Sequence, residues 1–140
     1  MIFTDASALY ASLVSDDARH LEAERAHAVL VTRREQLWTI DPVLTELWHL
    51  LRRDLTRDFC DQLVMGLLER GLRREQLHDE DYVRAWQIGQ EWADQDFSLT
   101  DRQAFAAIER SRELRAWSYD QDFTIVRLGA KRDRAIEVVH

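Results

Sequence analysis

The chain has 140 residues, of which 46% are hydrophobic and 32% charged, and its formal net charge is −7. This profile predicts one soluble globular domain, residues 1–140, large enough to bury a core, and no run approaches the ~18 apolar residues of a membrane span. The negative charge disfavours a protein that grips nucleic acid over its whole surface, but it leaves room for a local basic rim and for a basic partner. Cys60 is alone, so no intrachain disulfide forms, and the start of the chain has neither the basic residues nor the apolar core of a secretory leader. A cytoplasmic protein is expected.

In chain order, MIFTD (1–5) predicts a short buried strand and ASALYASLV (6–14) a helix. The stretch from Ala18 to about Glu35 predicts a long, charged helix, and LWTI (37–40) is an apolar run too short for one. In DPVLTELWHLLRR (41–53), Asp41 is a good N-cap and Pro42 suits the first helical position, with a wide apolar stripe following. Another helix is expected from about Thr56 to Arg70, stopped by Gly71, and then a weak strand in REQLHD (74–79). DEDYVRAWQIGQEWAD (79–94) is helical, with Tyr82, Trp86 and Gly89 on one face. SLTDRQAFAAIERSREL (98–114) is the clearest helix, capped by Ser98. AWSYD (116–120) is again an apolar run ending in aspartate, and IEVV (136–139) is a last strand. Strands alternating with single or paired helices predict an α/β sandwich with a mostly parallel sheet, whose sites form beyond the carboxyl ends of the strands.

Four acids occupy that edge. Asp5 and Asp120 each follow a strand, Glu46 lies one turn inside the helix after LWTI, and Asp101 lies in the first turn after Ser98. Each also has a local explanation. Asp5 suits a helix cap, and Glu46 suits a first-turn position favoured by the helix dipole. Asp101 resembles the far member of a capping box, and Asp120 suits a turn with Gln121 and Asp122. Their shared position is what points to chemistry. Carboxylates this close cannot all ionise uncompensated, and a hard divalent cation with oxygen ligands, Mg²⁺ or Mn²⁺, removes the conflict. Such an arrangement would activate water against a phosphodiester.

FTDASALYA (3–11), TIDPVLTELWHLL (39–51), DQDFSLTDRQAFAAIER (94–110) and AWSYDQDF (116–123), in this order over nearly the whole chain, resemble the PIN-domain family, most closely the VapC-type ribonuclease toxins of toxin–antitoxin pairs. The resemblance implies a three-layer α/β/α sandwich and hydrolysis of RNA phosphodiester bonds with Mg²⁺ or Mn²⁺. It also implies metal-binding, catalytic roles for Asp5, Glu46, Asp101 and Asp120, and Ser7 and Thr100 as groups that orient those carboxylates. An antitoxin partner and a homodimer are implied as well. Asp122 is expected to face solvent, and Asp94 and Asp96 to be loop and capping residues. Arg102 and Arg52 are candidates to hold flanking phosphates, although each is first expected on a solvated helix face. Of the five tryptophans, most are expected in the core, with others available to a dimer seam or antitoxin groove.

Four alternatives stand beside this reading. A PIN-like nuclease outside a toxin–antitoxin system, including one directed at DNA, would use the same acids. A non-catalytic PIN-like RNA-binding module would usually lack one of them. A receiver-type signalling domain needs a lysine after a late strand, and the sole lysine, Lys131, follows no clear strand. A di-iron bundle built on Glu46 and His49 lacks its second Glu-x-x-His motif. No glycine-rich phosphate loop or nucleophile elbow is present.

Overall fold

The computed structural model describes residues 1–140. Five strands form one sheet in the order β3-β2-β1-β4-β7. They are β1 (Ile2–Thr4), β2 (Leu37–Ile40), β3 (Arg73–Glu75), β4 (Arg115–Trp117) and β7 (Glu137–Val139). All four pairings are parallel. The long helices are α1 (Ala6–Leu13), α2 (His20–Thr32), α3 (Asp41–Arg52), α4 (Arg57–Glu69), α5 (Asp79–Glu91) and α6 (Leu99–Ser111). A four-residue helix α7 (Asp122–Ile125) and a small antiparallel pair, β5 (Arg127–Leu128) with β6 (Arg134–Ala135), complete the chain. No helix is long and apolar enough to cross a membrane.

Alternation along the strands shows why helices lie on both faces. Ile2 packs into one apolar cluster with Ala23, Ala26 and Leu30 of α2, while the next residue, Phe3, packs into the larger cluster with Leu47 and Phe105. Ala116 and Trp117 of β4 divide the same way. Successive strand side chains point to opposite faces, so a sheet apolar on both faces must be covered on both. The result is the expected three-layer α/β/α sandwich.

The strand order also locates the crevice. From central β1 the chain moves outward to β2 and β3 on one side, then returns to build β4 and β7 on the other. The switch in direction falls between β1 and β4, where parallel α/β sheets open a cleft beyond their carboxyl ends. Asp5 and Ser118 are the first residues past those two strands, and the Asp5 amide still donates to the Trp117 carbonyl at 3.1 Å.

Several expectations need correction. Ile40, not Asp41, is the N-cap of α3 and offers no side-chain bond there. The Asp41 carboxylate instead takes two hydrogen bonds from Arg74 Nη1, at 3.0 and 2.8 Å. The weak strand lies at Arg73–Glu75, slightly earlier than REQLHD, because His78 and Asp81 are committed to capping α5. Gly71 ends α4 as expected, at φ 104°, a backbone region that suits glycine.

Candidate active site

Asp5 is set by the end of β1 and the start of α1. It is the N-cap of α1 and only 5% exposed. Its Oδ2 accepts from the Ser7 hydroxyl (2.7 Å), the Ser118 hydroxyl (3.0 Å) and, more distantly, the Ser7 amide (3.4 Å). The two hydroxyls are themselves acceptors, Ser7 Oγ from the Tyr119 amide (2.9 Å) and Ser118 Oγ from the Asp120 amide (3.0 Å). Each hydroxyl has one proton to give, and both protons therefore go to Asp5. The pair clamps the ends of β1 and β4 together and aims the Asp5 carboxylate. Burial nevertheless raises the Asp5 pKa; the serine bonds oppose that rise and the nearby Asp120 adds to it.

Asp101 shows that a capping role and a place in the acidic cluster are compatible. Its Oδ2 accepts from the Ser98 amide (2.9 Å) while the Asp101 amide donates to Ser98 Oγ (3.0 Å), a reciprocal capping box. Neither bond uses Oδ1. The residue is 8% exposed, and burial, reinforced by Asp120 and Asp5, pushes its pKa up to about 6 against the pull of the Ser98 bonds. Asp120 likewise makes the turn expected of it, accepting from the Asp122 amide at Oδ1 (2.9 Å).

Carboxylate oxygens of Asp101, Asp120 and Asp122 lie within 4.8 Å of one another. Asp122 is half-buried rather than solvated, correcting the expectation for it. Burial and Asp120 raise its pKa, and a hydrogen bond with the Asp101 carboxyl opposes that. The short α7, which begins at Asp122 and anchors buried Phe123 in the core, turns this carboxylate inward. Glu46 stands at the border. Burial first, then Asp5, Asp101 and Asp120, push its pKa up to about 7. It lines a cavity of about 570 Å³ together with Thr100.

The four expected acids are thus brought near one another, with Asp101 and Asp120 in the tightest group, Asp5 close enough to perturb and be perturbed, and Glu46 perturbed by the other three. Ser7 contacts a carboxylate directly; Thr100 lines the adjoining cavity without a hydrogen bond to any of the acids. Sequence reasoning missed Ser118. Its signal was the small polar residue inside AWSYD, between the strand end and the aspartate. Arg52 spends Nη1 on the Leu55 carbonyl (3.1 Å), and Arg102 lies over the Trp86 ring. Every charge that perturbs Glu46 is another carboxylate. An all-oxygen, mutually repelling donor set of this kind suits a hard divalent cation such as Mg²⁺ or Mn²⁺ and suits no soft metal.

No family model matches the sequence, and no curated protein does either. Among solved structures, the chain is similar to VapC20 of Mycobacterium tuberculosis, described as a sarcin-ricin loop cleaving toxin. The two share 25% identity over 89% of this chain and 94% of the other, with a TM-score of 0.78.

Proposed function

We propose that this chain, similar in fold to a VapC toxin, is a VapC-type PIN-domain protein, a divalent-metal-dependent endoribonuclease and the toxin of a toxin–antitoxin pair. The observation that carries this reading is the convergence of Asp101, Asp120 and Asp122 oxygens within 4.8 Å, bordered by Asp5 and Glu46, at the β1–β4 switch point. Carboxylates supply no electrophile, so their concentration here serves to hold a cation against RNA phosphate.

Asp5, Asp101 and Asp120 would hold the ion, with Glu46 and Asp122 completing the ring of oxygens. When bound, Mg²⁺ or Mn²⁺ supplies charge neutralisation and makes water a better nucleophile at neutral pH. Ser7 and Ser118 fix the Asp5 carboxylate, and the capping box fixes that of Asp101, so neither must reorganise as charge develops. Glu46 faces the cavity of about 570 Å³, which is where the phosphodiester would enter. Hydrolysis forms a bond from water oxygen to phosphorus, breaks the bond from phosphorus to a ribose oxygen, and returns a proton to that oxygen.

Cleavage of an RNA substrate with Mg²⁺ or Mn²⁺, with and without chelator, tests the reading. Asp5→Asn and Asp101→Asn are expected to lose nearly all cleavage. Either variant cleaving at the parent rate would remove the assigned site. The toxin reading adds a small antitoxin with a basic segment, which the net charge of −7 would favour, a homodimer, and a cytoplasmic location.

A further inference from the structure

The outer face of α5 carries two large aromatic rings with no role in the core. Tyr82 and Trp86 are 48% and 58% exposed, whereas Ala85 and Ile88 of the same helix are buried. At a spacing of four residues the two rings share one helix face, about 5–6 Å apart at Cβ. Tyr82 lines the cavity that contains Glu46 and Thr100. Trp86 lines a second cavity, of about 450 Å³, with Gly89, Gln90, Gln95 and Arg102. Thr100, which lines the first cavity, and Arg102, which lines the second, are the two chain neighbours of Asp101 on α6.

The second cavity, also lined by Trp92, Ala93 and Phe97, places a cation against an aromatic ring. Arg102 Cζ sits 5.5 Å from the Trp86 ring centroid, and its Nε donates to the Ser98 carbonyl at 3.3 Å. Gly89 makes room for it, because a Cβ there would lie 2.4 Å from Arg102 Nη1.

We propose that Tyr82 and Trp86 form a stacking track for bases of single-stranded RNA on either side of the scissile phosphate, with Arg102 holding backbone phosphate beside Trp86. This rests on the ribonuclease reading and deepens it. A protein of net charge −7 gains little from long-range attraction to RNA, so affinity must come from local contacts. Exposed aromatic rings beside a cation supply them, and they do so without regard to sequence, since every base has a π face.

The test measures binding of a short, labelled single-stranded oligoribonucleotide to a Glu46→Gln background, which is meant to hold RNA without cutting it. Trp86→Ala and Tyr82→Ala are each expected to weaken binding on the order of tenfold, and Trp86→Phe to retain most of the affinity. An abasic oligomer of the same length should bind weakly to all of them, with little difference between parent and Trp86→Ala. Affinity unchanged within about twofold in both alanine variants would overturn the track. So would an equal loss for the abasic oligomer, or loss of self-association by light scattering with RNA affinity intact, which would mark a subunit interface instead. Failure of the unsubstituted protein to cleave any RNA with Mn²⁺ would remove the nuclease reading and the track with it. Robust cleavage with unaltered binding in the aromatic variants would remove the track alone.

Discussion

Ser118 does more for the site than its size suggests. It is 1% exposed, donates to Asp5 and accepts from the Asp120 amide, and so links two acids from opposite sides of the switch point. Its bond opposes the rise in the Asp5 pKa that burial causes. Ser118→Ala is therefore expected to move the Asp5 pKa further up and to lower activity about 10- to 100-fold, as is usual when a group orienting a metal-binding carboxylate is lost. The acid limb of the pH–rate profile should shift to higher pH. Loss of rate with an unshifted profile would mean that Ser118 matters only for the fold.

Glu46 offers a second test at this scale, in stability. In the metal-free protein its pKa is about 7, against 4.5 for the free side chain. The folded state therefore holds its proton more tightly than the unfolded state, and stability falls as pH rises from about 4.5 to 7. Glu46→Gln cannot ionise and should escape that loss. In chelator the variant is expected to be more stable than the parent at pH 8, with the difference shrinking toward pH 5. Urea unfolding at the two pH values checks this, and a difference that grows toward low pH would contradict it. Divalent metal should raise the parent's stability most at the higher pH, where all the acids are ionised.

Among the elements, α6 is the one on which the site depends most, because its capping box holds Asp101. Ser98→Ala is expected to cost about 1 kcal/mol of stability, measured by urea unfolding, and to lower cleavage as well. A stability loss with full activity would separate the cap from the site. A second device holds α6 in place: Arg84 of α5 donates to Glu109 of α6 at 2.7 and 3.2 Å, and Glu109 accepts from the Gly129 amide at 2.8 Å. These bonds tie the helix carrying Asp101 to α5, whose outer face bears Tyr82 and Trp86.

Most elements were legible in the amino-acid pattern, and for physical reasons. IFT and LWTI are apolar runs too short for helices, and Ser98 and Gly71 are strong local signals for helix start and stop. What was hidden had too little pattern to read. α7 is four residues long, β5 and β6 two each, and all depend on tertiary contacts such as the burial of Phe123 and Leu128. Asp122 was misjudged for that reason: without α7 nothing in Asp-Gln-Asp says which way the second aspartate turns. Asp41 was misjudged because its competitor for bonding, Arg74, is 33 residues away and no local rule predicts that pairing.

For the whole molecule, the topology gathers the site. β1 and β4 are more than 100 residues apart in sequence but adjacent in the sheet, with Phe3 opposite Ala116 and Thr4 opposite Trp117. That register delivers Asp5 and Asp120 to one cleft, and the second turn of α3 and the first turn of α6 bring Glu46 and Asp101 to it. The core takes Trp38 and Trp117, leaving other aromatic surface for partners. The expected homodimer is checked by light scattering at micromolar concentration, where a clean monomer would count against it.

Everything functional in this account requires that the gathered carboxylates hold a divalent ion. The most direct measurement is anomalous diffraction from crystals grown with Mn²⁺. A strong peak among the oxygens of Asp5, Asp101 and Asp120, absent in Asp101→Asn, is the predicted result. Saturating Mn²⁺ that leaves no peak there, with these side chains turned apart or paired to arginines, would contradict it.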